Sequence, residues 1–376
     1  LASIWSLDQP LALAEEEQLR LEEVIVTARK RAESMQDVPI AVTALGEQLK
    51  RSTVRSIQDV SNFVPNVSID RIGSNNGASI SIRGISFQET DKSLDPPAGV
   101  ILDGVYMGVV AGGLLNNFDM ERIEVLRGPQ GTLFGKNTTA GALNVIRTAP
   151  TRELGAKVKV GAASWDRSEF QAVINMPLTD NGGLKLYMHR DDHDGYIDNN
   201  YLNDDIGGVD YKQLGGTVAF NLTENFDLSF TAEYIEDDSD VGAYANFNKF
   251  TDIACLVSVG GFPPAGIPPE ASGAPFGSGC KELDPESDED HSSVNAPNDS
   301  EVTNDFYNLT MNWAIGDWVL TSITGYVNRN EEFRLEYDAS QVQVLTVDAE
   351  QDYEQFTQEL RANGTINENI NLTTGL

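Results

Sequence analysis

From Leu154 onward the chain returns repeatedly to a two-residue alternation of apolar and polar side chains, and no other property narrows its fold as far. Side chains that repeat every two residues belong to a half-buried β-strand, with one face against something apolar and the other wet. In 226–234 one face carries Phe226, Leu228, Phe230, Ala232 and Tyr234, and the other Asp227, Ser229, Thr231 and Glu233. In 306–315 the pattern returns, with Tyr307, Leu309, Met311, Trp313 and Ile315 set against Asn308, Thr310 and Asn312. Related segments at 156–162, 170–178, 184–190, 214–222, 318–328 and 353–361 bring the number to eight. Each is near the roughly 9 to 11 residues that cross a bilayer at a slant.

A soluble β-sandwich would alternate in the same way, so the period establishes half-burial and leaves two architectures open. The connections favour a membrane barrel. Some are tight (180–183, 223–225, 316–317) and others long and polar, above all 236–303, which is the asymmetry of outer-membrane barrels. The aromatic residues Trp165, Tyr187, Tyr234, Trp313, Trp318 and Tyr326 lie near strand ends, where interfacial girdles form. No uninterrupted run of about 18 apolar residues occurs, so no helix here is expected to span a membrane. Residues 367–376 resemble a strand entered but not finished, and the barrel is expected to be incomplete over 151–376, with about eight or nine strands.

Residues 35–150 have a different texture. Val54, Ile57 and Val60 have helical spacing within 52–63, stopped by Pro65, and short strands are expected at 79–83, 100–102, 123–126 and 142–147 between glycine-rich turns. This is a small α+β unit. Charge divides the chain at the same place: residues 21–150 sum to -1, whereas 151–376 sum to -28 of the total -32. Nucleic acid is a poor partner for such a surface.

The opening 1–14 ends in Ala12-Leu13-Ala14 and is followed by Glu15, Glu16 and Glu17, which fits the remnant of a secretory signal. Residues 15–34 would then form an exposed segment. Within it, Glu22, Glu23, Val24, Ile25, Val26, Thr27 and Ala28 form a short β-prone stretch among charges. It suits strand addition to another protein's sheet edge, and serves equally as the first strand of the following unit. In an exported protein Cys255 and Cys280 would close a loop by a disulfide, constraining the unfolded chain by about 3 kcal/mol. They have no third or fourth ligand at a metal-binding spacing, and no metal or cofactor is expected. The three histidines nominate no catalytic partner, so no enzyme emerges. A phosphate-loop reading of 131–136 fails because Asn137 stands where Ser or Thr would bind magnesium.

Three stretches go beyond pattern: Ser81-Ile-Arg-Gly84, Val100-Ile-Leu-Asp-Gly-Val105, and Glu121-Arg-Ile-Glu-Val-Leu-Arg-Gly-Pro-Gln-Gly-Thr-Leu-Phe-Gly135 continued by Ala140-Gly-Ala-Leu-Asn-Val-Ile146. In this order, after 22–28, they resemble the plug of TonB-dependent outer-membrane receptors of the siderophore type. The resemblance implies an α+β plug domain followed by an incomplete antiparallel transmembrane β-barrel in the bacterial outer membrane. It implies TonB, with its inner-membrane energising complex, as the partner of 22–28, outer-membrane lipid around the wall, and a small extracellular ligand, a metal chelate by default. It places Arg83 and Arg127 where the family locks plug to barrel through glutamates. Candidate ligand contacts lie in the apical turns: Arg71, Asn75, Phe87, Tyr106 and Asn116. The implied function is active import of a scarce ligand, a ferric siderophore by default, with cobalamin, haem or glycans as rivals. The competing class is a secreted soluble β-protein that binds carbohydrate or surfaces.

Overall fold

The computed structural model describes residues 24–46, 49, 56–72, 74–87, 95–108, 118–242, 291–292, 294–337, 345–367 and 370–376. Two sheets of unequal size dominate it. The smaller belongs to 35–150, and the larger holds all the alternating segments.

The smaller unit begins with a clip of two short strands, β1 (Ile25–Val26) and β2 (Glu33–Ser34), paired antiparallel. Its centre is a five-stranded sheet built from β3 (Val42–Leu45), β6 (Ala98–Leu102), β7 (Val105–Met107), β8 (Met120–Arg127) and β9 (Gly141–Arg147), in the order β3-β8-β9-β6-β7. A separate hairpin joins β4 (Val67–Ile72) to β5 (Ser74–Ile82). The strands expected at 100–102, 123–126 and 142–147 lie within β6, β8 and β9, while the one expected at 79–83 falls in β5 except for Arg83, which already belongs to the following turn. Of the helix expected over 52–63, residues 52–55 lie outside the described residues and Ile57–Asn62 is a 3-10 segment. Ser56 and Asp59 close a capping box at its start, and within it Ile57 and Val60 are buried, a spacing of three that suits the 3-10 repeat.

Between β6 and β7 the chain turns on Asp103 (φ 48) and Gly104 (φ 86), both left-handed, the geometry that an Asp-Gly pair supplies in a two-residue hairpin. The glycine serves a second purpose. A methyl group at 104 would collide with the Ile323 side chain, so its absence lets the turn press against the large sheet.

That large sheet has nine strands in sequence order, every neighbouring pair antiparallel. They are β10 (Gly155–Ala162), β11 (Ser168–Thr179), β12 (Gly182–His193), β15 (Val209–Thr223), β16 (Phe226–Asp237), β18 (Ser300–Ile315), β19 (Trp318–Glu336), β20 (Thr346–Asn367) and β21 (Ile370–Gly375). Three further strands, β13 (Ile197–Asn199), β14 (Asp204–Ile206) and β17 (His291–Ser292), make a small sheet among the connections at one end. Every alternating segment lies inside one of the nine. The strands run well past the expected limits at the end away from the tight turns. There the outward residues become polar (Glu301, Thr303, Asp305), and alternation fades although the hydrogen-bond ladder continues.

One face of the sheet carries exposed apolar and aromatic residues, among them Phe230, Tyr234, Tyr307, Trp313, Leu320 and Phe356, as a lipid-facing wall requires. The other face is covered by the smaller unit. Phe306, Ile323 and Val327 of the wall join Val105, Met107, Ile123 and Leu143 in one buried cluster. Tyr187, expected in the outer girdle, instead points into this interface and is buried, because it shares strand phase with Lys185 and His189 rather than with Leu186 and Met188.

Candidate functional site

The segment expected to take part in coupling is docked. Glu22 and Glu23 lie outside the described residues. Val24 and Ile25 are exposed, while Val26 and Ala28 are fully buried. Thr27 is held by Glu124: the carboxylate accepts the Thr27 backbone N–H at 2.8 Å and its hydroxyl at 3.1 Å. Glu124 is itself buried and also accepts from Arg122 Nε at 2.8 Å and Asn144 Nδ2 at 3.1 Å. A buried carboxylate must be fully bonded to be tolerated, and Thr27 supplies part of that set.

Two further ties follow. In the β1–β2 clip, Arg29 and Arg31 both bond Glu33, at 2.5 and 2.6 Å. The bond from Arg29, assisted by Arg31, holds the Glu33 carboxyl down to about 2. A carboxyl with a lowered folded value contributes its full stabilisation above its ordinary value of 4.5 and loses it as pH falls through about 2. Amide protection of Ile25 and Val26, corrected for the intrinsic pH dependence of exchange, should therefore be full above pH 4.5 and fall away progressively as pH drops from there through about 2. Protection that does not change between about pH 5 and about pH 2 would show that Glu33 contributes nothing to the clip. The second tie runs to the wall. Lys30 Nζ lies 3.0 Å from Glu359 Oε2 and 4.6 Å from the centre of the Phe134 ring, and the Lys30 carbonyl accepts from Asn363 Nδ2 at 3.0 Å. Glu359 also pairs with Arg361. All three wall residues lie on the same face of β20.

The deepest bonds between the two units are made by residues that sequence reasoning missed. Arg147 is buried between Asp103, whose carboxylate its Nε meets at 2.6 Å, and Glu233 of β16, with the Tyr187 hydroxyl at 2.9 Å. Burial opposes its charge, but Glu233 and Asp103 outweigh it and raise the guanidinium above its usual range. Lys185 of β12, also buried, bonds Asp119 at 2.6 Å and the Thr148 carbonyl. Its strand phase, with the polar face of β12, was the one signal available.

Arg83 and Arg127 stand apart from these. Arg83 is exposed, with a left-handed backbone (φ 57). Arg127 donates to the Pro65 carbonyl at 3.3 Å, and its buried Nε has no partner among the described residues.

The ligand-contact candidates are scattered. Arg71 lines a polar cavity of about 490 Å³ between the smaller unit and the wall, with Asp59, Asp70, Arg167, Asp191 and Asp237. This cavity lies toward the end of the wall remote from the tight turns. Phe87 is exposed, and its carbonyl accepts from Ser79 Oγ at 3.1 Å. Tyr106 is half-buried, its hydroxyl bonded by Asn137 Nδ2 at 3.1 Å. Asn75 lies in β5. Asn116, Cys255 and Cys280 lie outside the described residues.

A plug-like unit packed on the inner face of a lipid-facing antiparallel wall, with a docked segment at its start, defines the plugged outer-membrane receptors. Residues 34–142 match the family model for the TonB-dependent receptor plug domain. The chain is 27% identical over 217 residues to a vitamin B12 transporter, BtuB, of Vibrio vulnificus, covering 56% of this chain and 33% of that protein. It is 24% identical over 219 residues to the ferripyoverdine receptor of Pseudomonas aeruginosa, covering 57% and 25%. The crystal structure of the ferric yersiniabactin uptake receptor FyuA from Yersinia pestis superposes with a TM-score of 0.71 at 19% identity, covering 89% of this chain and 47% of that one. Residues 34–142 are thus a TonB-dependent receptor plug domain, and the chain around them resembles the TonB-dependent outer-membrane receptors in sequence and fold. It spans about a third or less of the length of the curated relatives just described.

Proposed function

We propose that this chain serves TonB-dependent active import across the bacterial outer membrane, with a ferric siderophore as its ligand class. One observation carries the reading: residues 24–34 are fastened to the plug and wall by a short clip and side-chain bonds rather than woven into the five-stranded sheet. Such a segment can be withdrawn without dismantling what it rests on, and its β-prone residues then suit addition to TonB's sheet edge. In this reading 1–14 is a signal remnant, 15–34 faces the periplasm, 35–150 is the plug and 151–376 the wall. Arg71, Asn75, Phe87, Tyr106 and Asn116 face the ligand side, Cys255 and Cys280 close an outer loop, and Arg83 and Arg127 await carboxylate partners on the barrel.

Deleting 22–28 from the chromosomal copy should abolish growth on the ferric ligand under iron restriction while leaving its binding to whole cells unchanged. Undiminished uptake in that strain would mean a passive pore. The similarity to a vitamin B12 transporter supports cobalamin as a second reading. Growth of a deletion strain on single iron or cobalamin sources separates the two.

A further inference from the structure

Strand β20 touches the plug at both ends of the seam, with contacts of different kinds. At the upper end Gln355 reads the plug backbone as a neighbouring strand would: its amide Nε2 donates to the Tyr106 carbonyl at 2.6 Å, and its Oε1 accepts the Gly108 N–H at 3.0 Å. Tyr353 fixes the orientation of that amide by donating its hydroxyl to Oε1 at 2.6 Å. The approach is so close that a methyl group at Gly108 would overlap both side chains. Two residues further along the same face, Thr357 shares the space above Gly325 with Val105 of the plug. Two more residues along stands Glu359, bonded to Lys30, and four beyond it Asn363, bonded to the Lys30 carbonyl.

We propose that β20 is a transmission element. Gln355 is a positioning residue that holds the end of β7 at Tyr106 and Gly108, and the strand links its position to the Lys30–Glu359 tie that retains the coupling segment. The link rests on the reading of 22–28 as that segment. The physical requirement is a stiff body between the two contacts, since coupling travels through elements that move as units. β20 meets it: from Thr346 to Gly364 it pairs with β19 at nineteen consecutive positions without a register shift. From Gln355 to Asn363 the strand advances about 26 Å at its usual rise, so a displacement at the ligand side reaches the periplasmic side without passing through the plug's own sheet. Gln355, Thr357 and Glu359 share the inner face, so all three contacts shift together if the strand slides or tilts.

Hydrogen–deuterium exchange of 25–34 in the full chain, held in lipid nanodiscs without ligand, tests this. Gln355→Met keeps the side-chain length and removes both bonds. It should speed exchange at Ile25 and Val26 about tenfold, the loss expected when hydrogen bonds restraining a local opening are removed. Glu359→Gln, which weakens the tie itself, should match it. Gln358→Met, on the outer face of the same strand, should leave exchange within about twofold. If Gln355→Met does not fold, Tyr353→Phe removes only the hydroxyl that orients the amide and should move exchange the same way by a smaller factor. Faster exchange with Glu359→Gln but not with Gln355→Met or Tyr353→Phe would overturn transmission and leave a local tie. Exchange unmoved by all of them would overturn both. Neither outcome touches the import reading, which the 22–28 deletion tests by growth.

Discussion

Replacing Arg147 by alanine is expected to weaken the hold of the wall on the plug by about 3 to 5 kcal/mol, the cost of leaving a buried carboxylate without its partner. Buried Glu233 would lose the charge that makes its burial tolerable, and half-buried Asp103 would lose its partner. The Tyr187 hydroxyl would still donate to Glu233 at 2.6 Å, and Gln213 Nε2 at 2.9 Å, but neutral donors do not replace a cation. The loss should appear as thermal release of the plug at lower temperature, followed by limited proteolysis in detergent, and as conductance in planar bilayers. Adding Glu233→Leu to Arg147→Ala should recover part of the loss, since it removes the stranded charge. If the double variant is no better than the single, the guanidinium acts through packing against Phe306, whose ring centre lies 5.1 Å away.

The second large effect is expected at Gly141. A methyl group there would overlap the Leu126 carbonyl oxygen and crowd Ile82. The first of these is backbone in the paired strand β8, which cannot step aside without breaking the ladder. Gly141→Ala should destabilise the plug by about 3 kcal/mol, the upper range for overpacking. Gly131→Ala is the matched control, because no atom lies within 4 Å of the methyl it would add. Equal melting temperatures for the two variants would show that the β8–β9 pair yields more easily than its contacts imply.

Much of the wall was legible in sequence because a two-residue period needs no knowledge of partners. Phe306 and Tyr307, for instance, face opposite sides as the alternation demands. Strand length was not legible, since the period reports the polarity of the surroundings. Above Tyr307 the outward Asp305, Thr303 and Glu301 are polar and so are the buried Asn304 and Ser300, and only the ladder from Ser300 to Asp305 shows that the strand goes on. The same limit explains Tyr187, whose aromatic character suggested the girdle while its phase with Lys185 and His189 placed it inside.

For the site, the motifs located the plug and the docked segment, but not the residues that fasten them. Glu124 stood inside a quoted motif with nothing to mark it as the acceptor for Thr27. Arg147 meets Glu233 across 86 positions and Lys30 meets Glu359 across 329. Such pairs depend on how the plug is seated against the wall, which no local pattern encodes. Arg83 and Arg127 were named through family position, and among the described residues neither is paired with a wall carboxylate.

The tie between Thr27 and Glu124 also orders the assembly of the molecule in time. Closing a loop of 97 positions yields two bonds from one threonine side, a poor return on chain entropy before β8 and β9 have formed. The segment nearest the start of the described chain should therefore settle last during folding, after every element it leans on. What docks last, held by buried Val26 and Ala28 and the Thr27 bonds rather than by a strand of the five-stranded sheet, is also what detaches first, so a segment with this connectivity opens without a global transition while the rest of the protein stays folded.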